Sequence, residues 1–229
     1  MARRRRLGPK DVTQHVIQRG NNRKKCFNCE QDFIVYVSWL KQYSAKFNVD
    51  IHAWVLMTNH VHLLCTPRSE NLGVSKMMQS LGRQYVRYFN DKYKQTGTLW
   101  EGRFKSSLVC TIQYLLTLYR YVELNPVRAK MVISPAHYKW SSYHANALGK
   151  ESGVCQPHDT YLQLGATPSE RQGIYRLLFQ DSLTKPLIDE IGACTNKELV
   201  LGNDKFKREM EALIGKKLKT GKMGRPPKQ

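Results

Sequence analysis

The residues best suited to chemistry are His60 and His62, separated by a single valine. On a β-strand, side chains two apart leave the same face, about 6.5–7 Å apart along the chain, so two imidazoles can reach one divalent ion while Val61 turns into the core. Core and surface histidines also fall at this spacing by chance, so the pair calls for a further group. A helix over 111–125 supplies candidates. At about 100° per residue, Ile112, Leu115, Tyr119 and Val122 gather on one face that should pack on a sheet. Tyr119 is therefore expected in the core. Tyr114, Tyr121 and Asn125 share a flank roughly 100–120° away, and Tyr121 and Asn125, one turn apart, can converge on one spot. Tyr121 is the better candidate for a working phenol.

Positioning these groups requires a frame. Alternation over 14–19 predicts a first strand, followed by a polar Gly-Asn-Asn-Arg loop. Apolar residues at helical spacing predict a helix over 33–47. Residues 50–57 and 60–66 read as a central hairpin turning at Thr58-Asn59 and ended by Pro67. A basic amphipathic helix is expected over 75–93 and a glycine-bounded loop over 97–103. An edge strand over 104–110 and the helix bearing Tyr121, stopped by Pro126, complete the order β-α-β-β-α-β-α. That order is an α+β, ferredoxin-like plan, also the plan of RRM modules: a four-stranded antiparallel sheet with helices on one face plus one added helix. The other face is expected to stay free for a site. Three divisions are predicted: a domain over 1–150, a small helical appendage over 151–214 with helices near 169–179, 187–193 and 204–214, and a basic disordered tail over 215–229.

Charge indicates the partner. Of 229 residues, 37 are Lys or Arg and 18 Asp or Glu, a formal net charge of +19, which calls for an anion such as nucleic acid. The 41% hydrophobic content excludes disorder over most of the length. No stretch approaches the roughly 20 apolar residues of a membrane span, and the Arg-rich start lacks a secretory run, so a cytoplasmic, nucleoid-associated protein without membrane contact is expected. The six cysteines are expected as reduced thiols. Cys26 and Cys29 have Cys-x-x-Cys spacing, but no second pair completes a zinc knuckle.

Three stretches carry a resemblance: Leu56-Met-Thr-Asn-His-Val-His-Leu-Leu64, Gly97-Thr-Leu-Trp-Glu-Gly-Arg103 and Tyr119-Arg-Tyr-Val-Glu-Leu-Asn-Pro-Val-Arg-Ala129. With His15-Val-Ile-Gln-Arg-Gly-Asn-Asn-Arg23 and Trp140-Ser-Ser-Tyr143, they resemble the single-tyrosine His-hydrophobic-His (HUH) transposases, and within them the REP-associated tyrosine transposases. The resemblance implies a metal-dependent endonuclease and strand transferase acting on single-stranded and hairpin DNA such as REP sequences, holding the 5′ end as a phosphotyrosine. It implies His60 and His62 as metal ligands, Tyr121 as nucleophile and Asn125 as third ligand, where distant relatives carry Gln. Two imidazoles, an amide oxygen and a phosphate suit Mg²⁺ or Mn²⁺ better than zinc.

The charge would then bind substrate. Arg3, Arg4, Arg5, Arg6, Arg19, Arg23, Arg83, Arg87, Arg103 and Lys105 are candidates to line a phosphate channel, with Tyr85, Tyr88 or Trp100 as stacking platforms. The competing reading makes the helical arginines a solvated face and Trp100 a core residue. Arg225 lies in a Gly-Arg-Pro segment resembling an AT-hook. A monomer or weak homodimer is expected. Two other functions stay open: a non-catalytic DNA-binding protein or repressor, and a metal phosphodiesterase that uses water.

Overall fold

The computed structural model describes residues 8–70 and 73–215, with the side chains of 111–113 left aside. The first strand, β1 (Gln14–Arg19), leads through a polar turn to α1 (Glu30–Lys46), whose start is fixed by the Asp32 carboxylate accepting from the amides of Asn28 and Cys29. Strands β2 (Val49–Met57) and β3 (His60–Pro67) follow, joined by the two-residue Thr58-Asn59 turn. Then come α2 (Gly73–Tyr93), β4 (Lys105–Val109), α3 (Thr111–Glu123) and the single turn α4 (Asn125–Arg128). Pro126 does not stop the helix at Asn125 as expected. Proline is compatible with a first helical turn, so the chain kinks at Leu124 and restarts.

Strand order is β2-β3-β1-β4, antiparallel throughout, so the predicted fold class stands. The hairpin is not central: β1 and β3 are the inner pair and β2 is outermost, its edge covered by bridges to Ser141 and Cys155. A fifth strand, β5 (Val200–Leu201), pairs parallel with β4, so β4 is not the edge that its sequence position suggests. Two residues carry no readable period.

Strand alternation sorts side chains to two faces. Val16, Leu56, Val61, Leu63 and Cys65 face α1 and α2, whose apolar stripes include Phe33, Tyr36, Leu40, Met77, Leu81, Tyr85 and Phe89. Ala53, Val55, Met57 and Leu64 face α3 through Leu115, Leu118, Tyr119 and Val122. That second face is not left free. The helices α5 (Tyr143–Leu148), α6 (Asp159–Leu162), α7 (Pro168–Leu177) and α8 (Lys185–Asn196) cover much of it, through Tyr143, Tyr161, Tyr175 and Ile191. The last helix, α9 (Asp204–Ile214), sets Met210 against Leu108 and Val200. The appendage is therefore joined to the sheet by a shared core. No helix among the described residues is long and apolar enough to cross a membrane.

His52, on β2, gives the fold an acid limit. Its Nδ1–H donates to the Gln156 carbonyl and its Nε2 accepts from Thr66, so the buried ring is held neutral. Burial pushes its pKa down from 6.5 to about 4. Above pH 6.5 the ring is neutral folded or unfolded. Below that, only the unfolded chain gains the proton, so stability falls by up to about 3 kcal/mol as pH drops toward 4. His52→Gln, whose amide can make both bonds, is expected to flatten the melting-temperature slope between pH 6.5 and 4; an unchanged slope would assign acid lability elsewhere.

Candidate active site

His60 and His62 leave the same face of β3, opposite Arg19 and Ile17 on β1 and Met57 and Val55 on β2. Their ring centroids are 5.0 Å apart and the rings nearly perpendicular. Helix α3 brings the Tyr121 ring to 5.8 Å from His62 and 5.5 Å from His15 on β1. All four side chains belong to one chain, so the helix bearing the phenol sits over its own histidines. The expected core residue, Tyr119, is fully buried. Tyr114 does not join the site; its hydroxyl reaches Glu190 on α8. Ile112 is among the side chains left aside.

Each expected donor is held by one atom and presents another. Asn59 Nδ2 donates to the Arg23 carbonyl, which fixes its amide and aims Oδ1 at His60 Nδ1, 2.6 Å away. That oxygen only accepts, so Nδ1 carries the proton and Nε2 keeps its lone pair. Asn125 Nδ2 donates to the carbonyls of Tyr121 (3.0 Å) and Val122 (3.3 Å), leaving Oδ1 for another partner. Burial first, then Arg19 and Arg128, push the His60 pKa down to about 4. His62 is held well below its ordinary value by burial and by its histidine neighbours. Neutral imidazoles at pH 7 are the ligand form. Among the described residues, no group of three His, Cys, Asp or Glu side chains is placed to hold a metal ion, so a cation on His60 and His62 would need a further donor, for which Asn125 Oδ1 is the candidate. Imidazole nitrogens suit borderline ions and an amide oxygen suits hard ones, so that donor set is compatible with a divalent cation without selecting which.

Three neighbours escaped the sequence reading. Arg128 lies with its guanidinium 4.3 Å from the Tyr121 ring centroid, donates to the Tyr121 carbonyl at 2.8 Å, and has a buried Nη1 with no partner among the described residues. Burial pushes the Tyr121 phenol up, and the positive charges of Arg128 and Arg19 pull it back. Sequence spacing held the signal, since seven residues are two helical turns. His15, fully buried, makes hydrogen bonds to His62 (2.9 Å) and to Thr195 of α8 (2.8 Å). No local pattern links residues 180 apart.

The basic residues divide between two hollows. Arg19, Arg23, Arg103 and Lys105 line one of about 410 Å³ on the histidine side. Lys76, Arg83, Arg87 and Arg103 rim a groove of about 900 Å³ beside α2, floored by Met78, Val86, Trp100 and Phe104. Arg103 belongs to both. Gly97, opening the loop between α2 and β4, takes a φ of 85° that strains any side chain. Trp100 is no free platform: it is 5% exposed and packs on Tyr36 and Tyr85. Tyr85 is fully buried and donates to the Cys26 carbonyl, so it offers no open face, whereas Tyr88 is half-buried with its hydroxyl donating to Asp32. Arg3, Arg4, Arg5, Arg6 and Arg225 lie outside the described residues. Cys26 is buried and Cys29 exposed.

The frame and the site define an α+β protein in which neutral histidines on an antiparallel sheet meet a tyrosine on a crossing helix. The IS200-like transposase family model matches residues 10–125, and the chain belongs to that family. Among solved structures, it is similar to a REP-associated tyrosine transposase bound to a REP hairpin, with 17% identity and a TM-score of 0.52, over 69% of this chain and 93% of that one. It also matches a protein described as a transposase of Deinococcus radiodurans R1, with 21% identity and a TM-score of 0.37, over 52% of this chain and 95% of that one. No curated protein matches it.

Proposed function

We propose that the protein is a single-tyrosine DNA endonuclease and strand transferase of the REP-associated kind, acting on a single-stranded flank beside a DNA hairpin. The observation that carries this reading is the Tyr121 ring 5.8 Å from His62, with the Arg128 guanidinium 4.3 Å from the centroid of that same ring, in one chain. Family membership and the fold shared with a hairpin-bound transposase support it. Because one chain contributes every group, a monomer suffices.

In the proposed step the Tyr121 oxygen attacks phosphorus and the 3′ oxygen leaves. One P–O bond forms and one breaks, the phenol proton is lost and the departing 3′ oxygen ends as a hydroxyl. The 5′ phosphate stays on Tyr121. A phenol of pKa near 10 is almost fully protonated at pH 7, so Arg128 and Arg19 would serve by favouring its anion. His60, His62 and Asn125 Oδ1 would hold a Mg²⁺ or Mn²⁺ ion, which when bound draws charge from the scissile phosphate. Because the phosphodiester energy is kept in the tyrosine link, the freed hydroxyl can reverse the step without a nucleotide cofactor.

A labelled hairpin with a single-stranded flank, incubated with the protein and Mg²⁺, is expected to yield an SDS-stable protein–DNA adduct. Tight binding without nicking under any divalent ion would favour a non-catalytic binder; nicking without adduct would favour water as nucleophile.

The flank would run across Arg103, the residue shared by both hollows. Arg103→Ala is therefore expected to weaken hairpin binding and lower the log–log salt slope by about 1, as loss of one phosphate contact does. An unchanged slope in a salt titration would remove Arg103 from the path.

A further inference from the structure

We propose that the Thr195 hydroxyl, acting through His15, fixes the tautomer and ring orientation of His62, so that α8 positions a cation ligand from outside the segment matched to the family. The inference rests on the reading of His62 as a ligand, but its core is a proton arrangement that exists without any ion.

Thr195 Oγ1 lies 2.9 Å from the Ile191 carbonyl, an oxygen that only accepts, so the single hydroxyl proton can be used there. Its lone pairs then face His15 Nδ1 at 2.8 Å and Ser107 Oγ at 3.3 Å. His15 Nδ1 must donate. A neutral imidazole has one proton, so His15 Nε2 is an acceptor, and its partner at 2.9 Å, His62 Nδ1, must donate to it. The His62 proton is thereby placed on Nδ1 and its lone pair on Nε2.

The reverse arrangement also pairs these ring nitrogens but takes the Thr195 proton away from the Ile191 carbonyl, and it is chemically opposite. If Thr195 donated to His15, the protons would shift along the chain, His62 Nε2 would carry hydrogen, and His62 could no longer offer that nitrogen to a cation. The carbonyl of Ile191 is what selects between the two. His15, His62 and Thr195 are at most 3% exposed, so solvent does not offer competing donors. The His15 and His62 rings lie 10° from parallel with centroids 5.1 Å apart, the edge-to-edge geometry of an in-plane N–H···N bond, which fixes the orientation of the His62 ring.

Helix α8 is itself tied to the sheet. Ile191 is buried in the second core, and Lys105 on β4 donates to Asn196 at 3.3 Å. A hydrogen-bonded partner behind a ligating histidine is a general device for setting its tautomer, and its removal weakens metal binding by about 10–100-fold. Here the device is two residues deep and ends on a helix carbonyl.

The test uses full-length, metal-free protein labelled with ¹⁵N-histidine, long-range proton–nitrogen NMR to read each tautomer, and a Mn²⁺ titration followed by electron paramagnetic resonance. In the wild type His62 is expected as the Nδ1–H form. Thr195→Val, which keeps the shape and loses the hydroxyl, should populate the Nε2–H form and weaken Mn²⁺ binding about 10–100-fold; Thr195→Ser should restore both. A wild-type His62 in the Nε2–H form, or a Thr195→Val protein that keeps Nδ1–H, would overturn the proposal. Should Thr195→Val fail to fold, the wild-type spectrum alone decides. If the wild type shows the expected tautomer yet takes up no Mn²⁺, the relay stands and the cation reading falls.

Discussion

Tyr121→Phe is expected to abolish the SDS-stable adduct with hairpin DNA, lowering strand cleavage by at least about 10⁴-fold, the scale on which loss of a covalent nucleophile is felt. The ring stays, so its contacts with His15, His62 and Arg128 are kept, and hairpin binding should change little. The outcome separates three mechanisms. An adduct that survives would place the nucleophile elsewhere. Tyr119 is a poor substitute, being fully buried with its hydroxyl inside the second core. Cleavage that survives without adduct would make water the nucleophile and leave Tyr121 a packing residue. A companion variant, Arg128→Met, removes the guanidinium from the Tyr121 ring and should shift the pH dependence of cleavage upward, because one of the two charges that favour the phenolate is gone.

The two sides of this site were unequally legible in the sequence. His60 and His62 could be put on one face because strand alternation is strict, and Tyr121 was separated from Tyr119 because helical phase is strict as well. Both statements need only local periodicity. Asn125 was harder, since its position depends on how the chain passes Pro126; the restart of helix as α4 turns its amide nitrogen back to Tyr121 and leaves the oxygen. His15 and Thr195 were beyond reach. A histidine among apolar strand residues reads as core, and its partner lies on a helix with no covalent or periodic relation to it.

Fold legibility follows the same rule. The first four strands and the helices packed on them have enough residues for a period to emerge. β5 does not, and its parallel pairing with β4 depends on α8 having already turned the chain. In the sequence the amphipathic helix α2 presents its lysines and arginines as one row of charges. The structure separates that row, with Arg83 and Arg87 on one groove and Lys92 committed to the buried carboxylate of Asp32 at 2.8 Å. Charge count shows that an anion is wanted; only packing shows which cations are free to meet it.

Glu123 shows how the second core reaches the phenol. It is fully buried on α3, two residues after Tyr121, and accepts from Ser142 Oγ (2.5 Å), Asn146 Nδ2 (2.8 Å) and Tyr175 OH (2.8 Å). One carboxyl group thus ties α3 to α5 and α7. Burial pushes its pKa up from 4.5 to about 7, against the pull of those three donors. A raised acid pKa means the folded state prefers the protonated form: its contribution is fully present below pH 4.5 and is lost as pH rises through 7, by about 3 kcal/mol in all. Glu123→Gln, a neutral group of the same shape, is expected to lose this dependence. The difference in unfolding free energy between the two proteins should therefore grow in favour of Gln from pH 5 to pH 8, measured by urea denaturation. The His52 effect cancels, because both proteins share it. Glu123→Ala leaves three buried donors without their acceptor and is expected to cost at least about 3 kcal/mol at pH 7. It should also lower adduct formation in the molecules that remain folded, since α3 then loses the anchor nearest Tyr121. Parallel pH profiles for wild type and Glu123→Gln would show that the carboxyl group is already ionised when buried, and that its three donors outweigh the burial.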